Sequence, residues 1–169
     1  MTHNDLKAGN CLLGPRSVPV LVDWEFVALG DPAWDVGCLL ADFLSDWLLS
    51  MPLGSRGGAA ALPTAASRPI ESMHPAIDAF WTGYCDSATA PAEDPAELLV
   101  RATRCAGLKL SQSAFEMCQG SSSLTAVELF FLQMSWNVMQ RPLEAIVHLF
   151  GLQLQGPRYA EQRVGLLSA

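Results

Sequence analysis

Two short apolar runs open the chain, and helical spacing governs most of the remainder. Cys11-Leu12-Leu13 and Val18-Pro19-Val20-Leu21-Val22 flank Gly14-Pro15-Arg16-Ser17, a turn-forming cluster, so together they predict a β-hairpin. Pro19 has no N–H to give to a ladder, which places it at the start of its strand or on a free edge. Asp31-Pro32 then marks a helix start, with Asp31 as N-cap and Pro32 at the first helical position, where the missing N–H costs nothing. Val36, Leu39, Leu40, Phe43, Leu44, Trp47 and Leu48 recur behind it at the spacing of one helix face.

From Ser50 to Pro69 the period disappears into Gly, Ala, Pro, Ser and Arg, which predicts a mobile connection. Pro75 restarts order, because Ile77, Phe80, Trp81, Tyr84 and Cys85 fall on one helical face. After an Ala/Ser/Pro-rich linker, Asp94-Pro95-Ala96-Glu97 combines an N-cap, a first-turn proline and an acidic third residue, and opens a long helix to about Gln119, stopped by Gly120. Thr125-Ala126-Val127-Glu128 offers another capping box. The segment from Ala126 to Met139 is apolar nearly all round, which predicts a place at the centre of a helical bundle. Pro142 breaks it and begins a last helix that ends near Gly151. The expected organisation is 1–49 as loop, hairpin and first helix, 50–70 as a flexible insert, 71–156 as a helical subdomain and 157–169 as a tail, all within one domain. No internal repeat is present, since the surroundings of Asp31-Pro32 and Asp94-Pro95 do not match.

With 169 residues, half of them hydrophobic, the chain can bury a sizeable core. A net charge of −7 argues against a nucleic-acid or anionic-membrane surface, which would favour Lys and Arg, and is in keeping with a cationic acceptor. Five cysteines without a Cys-x-x-Cys pair suit no complete disulfide framework, so reduced and mostly buried thiols are expected. The three histidines lie far apart and give no zinc spacing. No basic-then-apolar leader is visible, and no uncharged apolar run reaches the ~20 residues needed to cross a bilayer, so the cytoplasm is the expected compartment.

The chemistry-bearing residues cluster at the front. His3-Asn4-Asp5-Leu6-Lys7-Ala8-Gly9-Asn10 has the form His-x-Asp-x-x-x-x-Asn of a phosphotransferase catalytic loop. The hairpin comes next and delivers Val22-Asp23-Trp24-Glu25-Phe26, and Gly30-Asp31-Pro32-Ala33-Trp34-Asp35 opens the first helix. In this order the three elements resemble the aminoglycoside phosphotransferase/choline kinase-like family. The resemblance is sharp over residues 3–40 and architectural beyond them. It implies a mainly α fold with a small β-hairpin, the helical C-terminal lobe of a protein-kinase-like fold, with the N-terminal lobe absent.

The resemblance also implies roles. Asp5 would orient the acceptor hydroxyl and take its proton, while Asn10 and Asp23 would offer hard oxygens to Mg²⁺ with ATP as co-substrate. Lys7 has two readings, a charge beside the transferred phosphate or a solvated surface lysine. His3 would hold the loop's shape, and Asp35 would brace the loop by hydrogen bonds. The plain alternative for Asp5 and Asn10 is that they cap backbone amides in a turn. Trp24, Trp34 and Trp47 read most simply as core anchors. Arg101, Arg104 and Lys109 read as a hydrated helix face.

Asn4 departs from the family pattern, standing where a glycine is usual. A loop conformation that favours glycine would be costly for most other residues there.

The function implied is the C-terminal part of an ATP-dependent phosphotransferase acting on a small-molecule hydroxyl; the acidic balance hints at an amine-bearing acceptor such as an aminoglycoside, without naming one. A partner chain supplying the N-terminal lobe would complete it. The alternative is a non-catalytic helical remnant or interaction module derived from such a kinase.

Overall fold

The structure, a computed structural model, describes residues 1–52, 63–87, 93–119 and 123–154. It is mainly helical with one small antiparallel sheet. The two runs of the hairpin form β1 (Cys11–Leu13) and β2 (Pro19–Leu21), paired Cys11 to Leu21, Leu12 to Val20 and Leu13 to Pro19. Pro19 begins its strand, as its missing donor requires. The turn closes through the Gly14 N–H, which donates to the Val18 carbonyl at 2.9 Å, with Arg16 and Ser17 both at positive φ.

Helices α1 (Pro32–Leu49), α2 (His74–Cys85), α3 (Pro95–Cys118) and α4 (Ala126–Gln140) complete the main framework. The short α5 (Pro142–Glu144) continues as a π-helical turn over Ala145–Leu149. Capping decides where three of these begin. Asp31 accepts from the Ala33 N–H and Asp94 from the Ala96 N–H, both at 2.9 Å. Thr125 and Glu128 form the reciprocal capping box that their spacing predicts.

The bundle is centred on α3 and not, as the all-round apolar pattern of residues 126–139 predicts, on α4. Ala102, Ala106, Leu110 and Ala114 of α3 are fully buried with Ala33, Val36, Leu40 and Leu44 of α1 in the core. Small residues let the axes approach. A Cβ on Gly37 of α1 would meet the Ala102 carbonyl and the Cys105 Cβ at 2.6 Å, and one on Gly107 of α3 would lie 2.5 Å from Met139 Cγ of α4. Helix α3 is therefore approached closely by a neighbour on either side. Helix α4 buries Phe131, Ser135 and Val138 but leaves Leu129, Leu132 and Trp136 exposed. Apolar content tells what a helix is able to bury. Close-approach positions decide which helix acquires two neighbours.

Other expectations also change. Of the three tryptophans expected as core anchors, Trp47 is buried and Trp34 half-buried, while Trp24 is 43 % exposed. All five cysteines are free thiols, but only Cys38 is buried, and Cys11 is exposed. The connection at 50–70 lies partly outside the described residues, as do the stop at Gly120 and the tail at 157–169. Its described ends fold onto the helices. Met51, Ala66 and Ile70 join the core, and the Ser67 N–H donates to the Ser50 carbonyl at 3.1 Å. Among the described residues no helix is long and apolar enough to cross a membrane.

Candidate active site

The loop at the head of the chain is stitched down before its functional groups are reached. Thr2 and Ala28 exchange backbone hydrogen bonds at 2.8 and 3.1 Å, and the Thr2 hydroxyl adds another to the Ala28 carbonyl at 3.1 Å. Asp35, one turn into α1, accepts the His3 N–H at 2.7 Å and the Asn4 N–H at 2.8 Å, one on each carboxylate oxygen. The Trp34 indole N–H donates to the Asn4 carbonyl at 3.2 Å. Farther along, Asp42 accepts the Ala8 N–H at 2.8 Å. Residues two turns apart on α1 thus grip the loop at both ends.

Asn4 has φ +68°, the left-handed region that glycine favours. The substitution keeps that backbone shape, because Asn tolerates the region better than most residues, and its Nδ2 donates to the Phe26 carbonyl at 2.7 Å. His3 is buried, and its Nε2 lies 2.8 Å from the Val22 carbonyl, so Nε2 carries the proton of that bond. Its Nδ1 faces the Asp5 N–H at 3.4 Å, and its ring tilts against Trp24 with centroids 4.7 Å apart. His3 therefore connects the loop to the residue just before Asp23.

Asp5 stands in the middle of these supports. Its Oδ2 pairs with Lys7 Nζ at 2.5 Å and its Oδ1 with Lys109 Nζ at 3.0 Å. The Asn10 amide nitrogen donates to the Asp5 carbonyl at 2.9 Å and reaches Oδ2 at 3.5 Å. Partial burial pushes the Asp5 carboxyl up, but hydrogen bonds from Lys7 and Lys109, with the charges behind them, outweigh it and hold the group below its ordinary value. The same pairing raises Lys7, opposed by burial and helped by the charges of Asp5, Asp23 and Asp42. Both groups are thus held ionised.

Asn10 is buried, and both of its contacts use the amide nitrogen, which leaves Oδ1 as the end that can face a cation. The Val22 N–H donates to the Asn10 carbonyl at 3.0 Å, so the hairpin carries Asn10 and Asp23 to the same end. Asp23 is exposed at φ +66°. Among the described residues no three His, Cys, Asp or Glu side chains gather as a metal cluster. Mg²⁺ does not require one, since it binds through one or two carboxylates together with waters and phosphate oxygens. An amide oxygen and an exposed carboxylate fit that donor set.

A cavity of about 140 Å³ opens beside Asp5 between the loop, α1 and α3. Its wall includes Lys7, Asp42, Ser45, Lys109, Ser113 and Glu116. Cys38 also lines it, but burial pushes that thiol up to about 12, which rules it out as a nucleophile at neutral pH. In the sequence Lys109 reads as part of a hydrated helix face. In the structure its side chain is only 15 % exposed and paired to the loop. The spacing puts positions 102, 106, 109 and 113 on one stripe of α3, but only the packing shows that this stripe faces α1, where Gly37 meets Ala102 and Ala106. Arg101 pairs instead with Asp31 at 2.7 Å and Glu93 at 2.8 Å, and Arg104 is exposed.

Residues 1–70, which carry the loop, the hairpin and α1, match the family model APH, the phosphotransferase enzyme family. The match bears out the family resemblance carried by that stretch. No curated protein matches the chain.

Proposed function

We propose that this chain is the helical lobe of a kinase-like phosphotransferase that moves the γ-phosphate of ATP to a hydroxyl of a small molecule. The observation that carries this reading is Asp5: an ionised carboxylate, fixed on a loop that three helical residues brace, beside a cavity and hydrogen-bonded to Asn10, with Asp23 delivered to the same end of the hairpin. In the proposed reaction the acceptor oxygen attacks the γ-phosphorus, its proton passes to Asp5, and the bond to the β-phosphate oxygen breaks with its electron pair leaving on ADP. Asn10 Oδ1 and Asp23 would hold Mg²⁺, which when bound neutralises phosphate charge. Lys7, kept charged by Asp5, adds a cation on the same side. Asp42 and Glu116 in the cavity wall would receive an amine on the acceptor, in keeping with an aminoglycoside-like substrate.

ATP binds tightly only with a cover over its phosphates, and without one the chain is expected to bind it weakly and turn it over slowly at high nucleotide concentration. In this reading a nucleotide-binding lobe from a partner chain packs on the apolar hairpin, where Leu12, Leu13, Val18 and Val20 are exposed. That same exposed surface favours the second reading, a non-catalytic interaction module. The two separate in one experiment, in which the chain is incubated with Mg²⁺ and γ-labelled ATP and offered an aminoglycoside, choline, a sugar and a hydroxy amino acid in turn. Transfer to one acceptor, reduced by about 10²–10⁴-fold in Asp5→Asn, is the expected result. Magnesium-dependent ATP binding no stronger than background, or transfer that survives Asp5→Asn, would sink the phosphotransfer reading for this chain and leave the module.

A further inference from the structure

The loop, the hairpin and α1 account for every predicted site residue, yet one group that touches Asp5 comes from elsewhere. Lys109 lies 104 residues farther along, on α3. Its place on the α1-facing stripe of that helix puts its aliphatic stem among buried neighbours, with Ala106 and Leu110 both fully enclosed. Confining a lysine in this way forfeits rotamer freedom that a surface position would keep. Among the described residues, the acidic group within ion-pair distance of it is Asp5, at 3.0 Å on Oδ1.

Lys7 holds the other oxygen, but it belongs to the same loop and its side chain is 44 % exposed, so it moves with whatever it would restrain. Asn10 likewise sits at the loop's own end. Of these three, Lys109 is the one that ties the Asp5 carboxylate to the centre of the bundle. A carboxylate has about four lone-pair sites, so two lysines orient it without exhausting it. The remaining acceptor positions on Oδ1 and Oδ2 are then set in direction, beside the cavity that Lys109, Ser113 and Glu116 help to line.

We propose that Lys109 is a positioning residue for Asp5: its ammonium fixes the carboxylate from α3, so that the group meets an acceptor hydroxyl entering the cavity in one orientation. This rests on the phosphotransfer reading for its purpose but not for its geometry. Removing the ammonium frees Asp5 to turn about its Cα–Cβ bond towards Lys7 and Asn10. A misplacement of the base by ~1 Å is enough to cost a catalyst on the order of 10²-fold.

The test is a spectroscopic one on the full chain without metal or nucleotide. Three-bond scalar couplings of Asp5 report its χ1 rotamer. The wild type is expected to show one rotamer, Lys109→Met an average over several, and Lys109→Arg one rotamer again, with helical circular dichroism unchanged in all three. Lys109→Gln, which keeps the first part of the stem and carries no charge, serves in the same role should the Met variant fail to fold. A single Asp5 rotamer retained in the folded Met or Gln variant overturns the proposal. A second measurement, label transfer from Mg·ATP to whichever of the four acceptors responds, is expected to show kcat reduced about tenfold or more with KM within about twofold, and partial recovery with Arg. Rotamer dependence on Lys109 without any transfer in the wild type would uphold the positioning and defeat the phosphotransfer reading. Transfer with an Asp5 rotamer indifferent to Lys109 would do the reverse.

Discussion

The loop at residues 3–10 and the hairpin at 11–21 are adjacent in sequence and joined by hydrogen bonds, but they are held in opposite ways. The loop has few apolar contacts of its own and is fixed by polar groups from outside it: Asp35, Trp34 and Asp42 from α1, Lys109 from α3, and the Val22 carbonyl through His3. Both strands of the hairpin are exposed along their whole length, and the bonds that hold them are chiefly their own. A two-stranded ribbon of that kind is marginal in water by itself. The loop is over-determined and the hairpin under-supported, so the two respond differently to substitution.

Asp35→Ala should have the largest effect, and it falls on the loop. It removes one carboxylate that accepts two backbone N–H groups, one of them from buried His3. Bonds to a charged acceptor contribute about 1.5–3 kcal/mol each, and a stranded buried donor adds a cost of its own. A loss of about 3 kcal/mol in urea unfolding is expected, with the amides of His3 and Asn4 becoming the most strongly deprotected in hydrogen exchange. Equal loss of protection in the hairpin would mean that the two regions are one cooperative unit, and the contrast between them would fail.

The second effect concerns pH. Asp5 is held below its ordinary value of 3.8 in the folded chain. A depressed carboxyl contributes stability that is fully present above its unfolded pKa and is lost as pH falls through the folded value. The Lys7 and Lys109 pairs therefore stabilise the loop at neutral pH, a contribution that begins to fall below about pH 4 and is gone once the pH has passed below the depressed folded value. Urea midpoints measured from about pH 6 down to about pH 2 should fall more steeply for the wild type than for Asp5→Asn in that acid window, the two running parallel above it. Parallel curves throughout would show that the lysines do not engage Asp5 in solution.

How much of this could be read in advance depends on the kind of signal each feature leaves. The hairpin, the start of α1 and the capping box of α4 were legible because turn residues, Asp-Pro and Thr-x-x-Glu act locally. The grouping of Asp5, Asn10 and Asp23 near one end of the hairpin was legible because β1 and β2 pair with each other. Lys109 was not, since its role depends on which stripe of α3 meets α1, and Gly37 and Gly107 decide that by close approach. The same cause misplaced α4, whose apolar perimeter carries no mark of how many neighbours it has. Asn4 sits between these cases. Its departure from glycine was visible, while its positive φ and its bond to Phe26 depend on where the chain returns after the hairpin.

The smallest effect on stability should come from the hairpin, and it is the one that sharpens the comparison most. Leu13 is 77 % exposed and Leu12 52 % exposed. Replacing both by Ser removes only the partial contacts of two largely exposed side chains, so urea unfolding should change by no more than about 0.5 kcal/mol. Binding should change far more if this surface receives a nucleotide-binding lobe, because an apolar anchor contributes to an interface only once it is covered. The double variant should keep its fold and lose association with any chain that restores ATP turnover. A stability loss beyond about 1 kcal/mol would instead mean that the hairpin is already covered in solution, and sedimentation of the wild type would then reveal a second copy of this chain as the cover.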